Sequence, residues 1–137
     1  SVKRLKEKVR EHVRRGRGRN LKRFINEALN PVLNGWSGYF KASETKGNFD
    51  ELDQWIRRRL RDILWRQWKR PRTRRKKLMS SGLTEETASA SAYNGRGPWW
   101  NSGASHMNRA IPKKYLDHLG LVNLQQRVRN LEQTSLR

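Results

Sequence analysis

The side chains with the clearest chemical meaning in this sequence are arginines and lysines. From Arg66 to Lys77 (RQWKRPRTRRKK) eight of twelve residues are basic, and no acid stands between Asp62 and Glu85. A guanidinium forks onto two phosphate oxygens at once and stacks on bases, so a run of this density suits a polyanionic backbone. A second basic stretch, Arg14 to Arg23, holds RRGRGRN followed by Lys22 and Arg23. The candidate nucleic-acid-binding residues are Arg14, Arg15, Arg17, Arg19, Lys22, Arg23, Arg57, Arg58, Arg61, Arg66, Lys69, Arg70, Arg72, Arg74, Arg75, Lys76 and Lys77. The plainer reading of a charge run is a solvated face. It loses ground here because the net charge is +20, well beyond the ~2–8 at which a small domain is comfortable, and a bound polyanion relieves the self-repulsion.

Other chemistries find no support. Two-metal phosphoryl transfer needs carboxylates brought together, and the twelve acids are spread thinly without an adjacent aspartate pair. Asp50, Glu51 and Asp53 are expected in the first turn of a helix, where the dipole favours negative charge. Gly16-Arg17-Gly18 completes neither phosphate-loop fingerprint. With no cysteine and three scattered histidines (His12, His106, His118), neither a Cys/His metal site nor a catalytic thiolate is expected, and no cofactor is implied. The expected catalytic and metal sets are both empty.

The 137 residues fit one domain or two very small ones, and 34% apolar content predicts thin cores, partly offset by six tryptophans. No stretch reaches the ~18–20 apolar residues of a membrane span, and the basic start carries no apolar signal region. A soluble protein that is not exported is expected. Residues 1–70 carry 20 basic against 8 acidic side chains and the remainder 12 against 4, so both parts are cationic. Charge alone selects a partner and not a task. Ribosomal, architectural and polymerase-accessory proteins share this balance, and an anionic membrane surface accepts it.

The elements that must position these cations read as helices throughout. Val2, Leu5, Val9 and Val13 recur at helical spacing, and the basic loop from Arg14 to Asn20 follows. Asn20 caps a second helix with the stripe Leu21, Phe24, Ile25, Ala28 and Leu29; Asn30-Pro31 then supplies a fresh cap for a third, carrying Val32, Leu33, Trp36, Tyr39 and Phe40. Gly35 and Gly38 on that helix favour close packing of another backbone. After a polar loop, Ser43 to Asn48, with Asn48 as cap, the longest helix buries Leu52, Trp55, Ile56, Leu60, Ile63 and Leu64. Arg57, Arg58, Arg61, Trp65, Trp68 and Lys69 fall on its opposite face. Trp36, Tyr39 and Phe40 are expected to form the first core with Trp55, Ile56 and Leu60. Trp65 and Trp68 can stack on bases, but packing against a neighbouring domain is the commoner fate of such residues. Pro71 ends the helix. A short helix through Leu78 and Met79 stops at Gly82, and Thr84 caps another with Ala88 and Ala92 buried. Tyr93 to Ser105 reads as a loop anchored by Trp99 and Trp100. Short helices follow at 106–110 and 112–119, the latter stopped by Gly120, and Leu124, Val128 and Leu131 form a last amphipathic helix.

The segments LNPVLNGWSGYF, ELDQWIRRRLRDILWRQWKRPRTR, GLTEETA and GRGPWW, in this order and spacing, resemble the C-terminal part of group II intron-encoded reverse transcriptase/maturases. The resemblance implies an all-α chain. Residues 1–70 correspond to a small thumb-like bundle, the domain X or maturase-specific domain, and residues 71–137 to a basic, loop-rich module of short helices that binds nucleic acid. It implies binding of group II intron RNA to promote splicing. In the full-length reverse transcriptase it implies clamping of the template-primer duplex for retrohoming, with target DNA and the fingers and palm as further partners. The palm, with its aspartate-bearing motif, and the Cys/His endonuclease domain of some members have no counterpart here. The chain is therefore expected to be a piece of an RNA-directed DNA polymerase/maturase and no enzyme on its own, without a membrane partner, in the bacterial cytoplasm or an organelle. The alternative is a subunit that completes a split reverse transcriptase by docking on separately encoded fingers and palm.

Overall fold

Ser1 begins the described chain by capping its first helix, its hydroxyl accepting from the Arg4 amide at 3.4 Å. The computed structural model describes residues 1–42 and 49–135 and is all-α, with no strand among them. The expected loop Ser43–Asn48 and its Asn48 cap lie outside the described residues. Helix α1 (Val2–Gly16) buries Leu5, Val9 and Val13 at four-residue spacing. It runs through Arg14 and Arg15, so the expected basic loop shrinks to residues 17–20. The reason is Gly16: a Cβ there would lie 2.3 Å from the Phe24 ring, so the bare backbone seats that ring at the helix end.

Asn20 caps α2 (Leu21–Phe24) as expected, its side-chain oxygen accepting from the Arg23 amide at 3.1 Å. The next cap does not form. The chain passes through a π turn (Ile25–Leu29) straight into α3 (Asn30–Ala42), and Asn30 is helical at φ −57 and ψ −41. Pro31 lacks an amide hydrogen and crowds the preceding turn, and the wider π turn just before it absorbs both defects. Freed from capping, the Asn30 side chain donates to the Gly120 carbonyl (2.8 Å) and accepts from the Val122 amide (3.0 Å), while Asn26 donates to the Leu119 carbonyl (2.9 Å). Gly120 sits at φ +102, where only glycine is unstrained.

Helix α4 (Asp50–Gln67) is followed by α5 (Pro71–Ser80), α6 (Glu85–Ala92), α7 (Pro98–Ser102), α8 (Ser105–Ala110), α9 (Lys113–His118) and α10 (Leu124–Ser135). Pro71 opens α5 as well as following α4, so the basic run is itself helical. Gly82 ends the turn after α5 at φ +104, with the Leu83 amide reaching back to the Leu78 carbonyl. Thr84 caps α6 over Ala88 and Ala92, as the sequence predicts. The expected loop 93–105 contains the single turn α7.

Contacts divide the chain into two units, residues 1–56 with 117–137 and residues 57–116. This cut differs from the expected division at residue 70, because the last segment returns to α3 and α4 contributes residues to both units. In the first unit the core is Leu5, Val9, Val13, Phe24, Ile25, Leu29, Leu33, Phe40, Phe49, Leu52 and Ile56, with Leu121, Leu124 and Val128. The expected aromatic core is only partly realised. Phe40 is buried against Phe49, with ring centroids 4.7 Å apart, but Tyr39 is 53% exposed and Trp36 half-buried. Trp55 is half-buried beneath Lys6 and Arg10. Among the described residues nothing lies within 4 Å of a Cβ placed on Gly35 or Gly38, so no described backbone packs closely there, unlike the role expected for them.

Asp53 is buried, and its two oxygens accept from the Leu124 amide (2.8 Å) and the Gln125 amide (3.0 Å). It holds the first turn of α10, a helix N-terminus that favours a carboxylate. Asp53→Ala strands two inward amides and is expected to lower stability by about 2–3 kcal/mol. Amide hydrogen exchange checks it: protection should fall first around Val128.

Candidate nucleic-acid interface

The second unit, residues 57–116, holds 16 basic and 3 acidic side chains, a net +13 in 60 residues. Its α4 segment does not present the expected outward basic and aromatic face. Trp65 is 1% exposed, Trp68 is buried, and Arg57 and Arg61 are buried with them. A helical wheel assumes one buried stripe; here Arg74 of α5, Trp99 and Ser102 of α7, His106 of α8 and the Ile111 carbonyl meet the face the wheel leaves to solvent.

Arg58, Arg61 and Arg74 find their partners inside this unit. Arg61 donates from Nε to the Ile111 carbonyl at 2.8 Å, and burial, followed by the repulsion of Arg57, pushes its guanidinium down to about 10. It stays charged at neutral pH. Arg58 lies 3.9 Å from the Trp99 ring centroid, donates to the Trp99 carbonyl (2.7 Å) and to the Ser102 hydroxyl (3.2 Å). Arg74 stacks at 4.7 Å on Trp65, whose carbonyl it reaches from Nε at 3.2 Å, and burial lowers its pKa. These contacts make Arg58, Arg61 and Arg74 braces of the unit. Trp99 anchors its loop as expected, whereas Trp100 is 46% exposed with Arg96 stacked over it at 4.9 Å.

What remains outward is a shorter list. Lys69, Arg70, Arg72, Lys76 and Lys77 are exposed at the start and along α5, while Arg66 pairs with buried Asp62 (2.9 Å) and Arg75 with Glu85 (3.8 Å). Lys69 takes a left-handed conformation, φ 44, in the turn between α4 and α5. In the first unit Arg14, Arg15, Arg17, Arg19, Lys22 and Arg23 are all exposed. Within this stretch Arg15 pairs with Glu11 (2.9 Å), and Arg19 (3.0 Å) and Arg23 (3.3 Å) pair with Glu27.

Beside α5 lies a cleft of about 550 Å³ lined by Leu64, Trp68, Lys77, Ser80, Ser81, Arg109, Ala110, Ile111, Pro112 and Tyr115. The carbonyl of Lys77 accepts from both serine hydroxyls, at 2.8 and 3.0 Å. Arg109 and Tyr115 were not among the residues expected to bind, because they adjoin Lys77 only in space. The cluster IPKKY at 111–115, basic residues beside an aromatic, was the available signal. Among the described residues no group of His, Asp or Glu side chains is arranged to hold a metal ion, and no helix is long and apolar enough to cross a membrane.

No curated protein matches the chain. The family model described as group II intron, maturase-specific domain, matches residues 2–82, which takes in the first helices, all of α4 and α5, and every one of the expected binding cations. The motifs LNPVLNGWSGYF and ELDQWIRRRLRDILWRQWKRPRTR fall wholly inside that match, and with more than half of the sequence covered the chain belongs to the group II intron maturase-specific domain family.

Proposed function

We propose that this chain is a non-catalytic RNA-binding part of a group II intron maturase, which binds intron RNA and favours its spliced fold. The observation that carries the reading is the position of the outward cations of α5 inside the matched segment, residues 2–82. Phosphate contacts from Lys69, Arg70, Arg72 and Lys76 neutralise the crowded backbone of a folded RNA, and shape rather than base edges selects it, since the A-form major groove is too deep and narrow for a helix. In a full-length reverse transcriptase the same surface clamps template and primer or target DNA. The corresponding location is the bacterial cytoplasm or an organelle.

Filter-binding with intron RNA and a shuffled RNA of equal length tests this. Tighter binding to the intron, with faster splicing at limiting magnesium, is the expected result; equal affinity without a gain in splicing overturns it.

A second reading, that the chain completes a split reverse transcriptase, draws on the half-exposed aromatics of α3. Pro31, Val32, Gly35, Trp36 and Tyr39 line a hollow of about 340 Å³ with Lys8. Co-purification with separately encoded fingers and palm supports it, and their absence from the purified complex removes it.

A further inference from the structure

We propose that the cleft beside α5 holds one unpaired nucleotide, its base stacked on Tyr115 and its phosphate gripped by Lys77 and Arg109. The proposal rests on the RNA-binding reading and adds a site to it. The cleft's volume, about 550 Å³, is in the range of small-ligand sites. Its composition fits a nucleotide better than an apolar ligand. Leu64, Trp68, Ala110 and Ile111 supply an apolar floor, and Lys77 and Arg109 are exposed cations that line it. Among the described residues that line it, none is acidic.

Tyr115 is 43% exposed, which leaves ring surface for a base. Base–aromatic stacking needs no particular base. Ser80 and Ser81 spend their hydroxyl hydrogens on the Lys77 carbonyl, so their oxygens are left as acceptors toward the cleft. Acceptors of this kind take amino or sugar hydroxyl hydrogens and repel phosphate, which directs the phosphate to Lys77 and Arg109. The wall carrying Ile111 is fixed from behind by Arg61, which donates to the Ile111 carbonyl at 2.8 Å. The site is therefore built before the ligand arrives. The surrounding unit carries +13, so a nucleic-acid strand is concentrated at its mouth.

A paired base cannot enter such a cleft, because its face is covered by its neighbours in the stack. A bulged or single-stranded nucleotide can. The test uses the full chain and two RNA hairpins, one with a single-uridine bulge and one fully paired, with a deoxyuridine bulge as a third probe. Wild type should bind the bulged hairpin about tenfold or more tightly than the paired one, the scale of one stacked base. Tyr115→Ala should remove that preference while leaving the paired hairpin's affinity unchanged; Tyr115→Phe should keep it. A 5-iodouridine bulge should crosslink to the tryptic peptide that begins at Tyr115. A ribose-only preference would assign the serine oxygens to the 2′-hydroxyl, and an equal preference for deoxyuridine would assign the site to the base and phosphate alone; both support the cleft. Equal binding of bulged and paired hairpins by wild type, or a crosslink to the Trp100 peptide instead, overturns the cleft and leaves general RNA binding standing. Failure to bind any hairpin overturns both readings.

Discussion

Trp65→Ala is expected to lower the stability of the second unit by about 3–5 kcal/mol, the range for removing a large aromatic from a core. Trp65 is the largest side chain buried to this degree, and its ring meets Trp68 at 6.2 Å, His106 at 5.4 Å and the Arg74 guanidinium at 4.7 Å. Truncation leaves a cavity and also removes the surface that carries a part-buried cation. The indole nitrogen of Trp65 is buried without a hydrogen-bond partner. Trp65→Phe, which deletes that unpaired donor with only part of the ring volume, should therefore destabilise much less than Trp65→Ala. Urea unfolding followed by circular dichroism reads both, and equal losses would show that ring volume is not what Trp65 contributes. Burial, reinforced by Arg109, holds the His106 imidazole below its ordinary value of 6.5. Because the unfolded chain then binds the extra proton, the unit should lose stability as the pH falls below about 6.5.

The signals that proved legible in the sequence are those settled within one turn of chain. Asn20, Thr84, Pro71 and Gly82 each mark a helix boundary through a hydroxyl or amide oxygen, a missing donor or a left-handed φ, and none of these depends on distant partners. Asn30-Pro31 shows the limit. The same dipeptide serves a cap or follows a π turn, and in this fold Asn30 is helical with its side chain bonded to Gly120 and Val122, some ninety residues away, which no local signal announces.

The second half of α4 shows another limit. Periodicity ranks faces by polarity, so it assigns Arg57, Arg58 and Arg61 to solvent; it has no means of knowing that carbonyls at Trp99 and Ile111 wait to receive two of them. The charge of the candidate interface was thus readable from composition, but its geometry was not. Arg74 and Lys76 are two residues apart on one helix, and one braces Trp65 while the other is open to solvent. The cleft was illegible for the same reason, since Lys77 and Tyr115 come to line one cleft only in the folded unit.

Replacing Lys69, Arg70, Arg72 and Lys76 together by alanine should weaken RNA binding by roughly 100-fold or more at 0.1 M salt. It should also lower the log–log salt slope by about 3, since each lost phosphate contact removes about 0.7 to 0.9 of a released counterion. These four are exposed side chains, so the melting temperature should hardly change. The triple change Arg15, Arg19 and Arg23 to alanine should matter less per residue, because those guanidiniums are shared with Glu11 and Glu27 and must leave them to reach a phosphate. Equal loss per charge from both sets would mean diffuse attraction to the whole +20 chain and no defined surface on α5. Lys69 separates affinity from stability within this set. A lysine at φ 44 carries backbone strain that glycine lacks, so Lys69→Gly should stabilise the fold by about 1 kcal/mol while removing one phosphate contact. A variant that melts higher and binds RNA more weakly, with the salt slope lower by about 0.7 to 0.9, is the result expected if the turn between α4 and α5 places that charge for RNA. A variant that melts higher with unchanged affinity and slope would show that the phosphates lie elsewhere along α5.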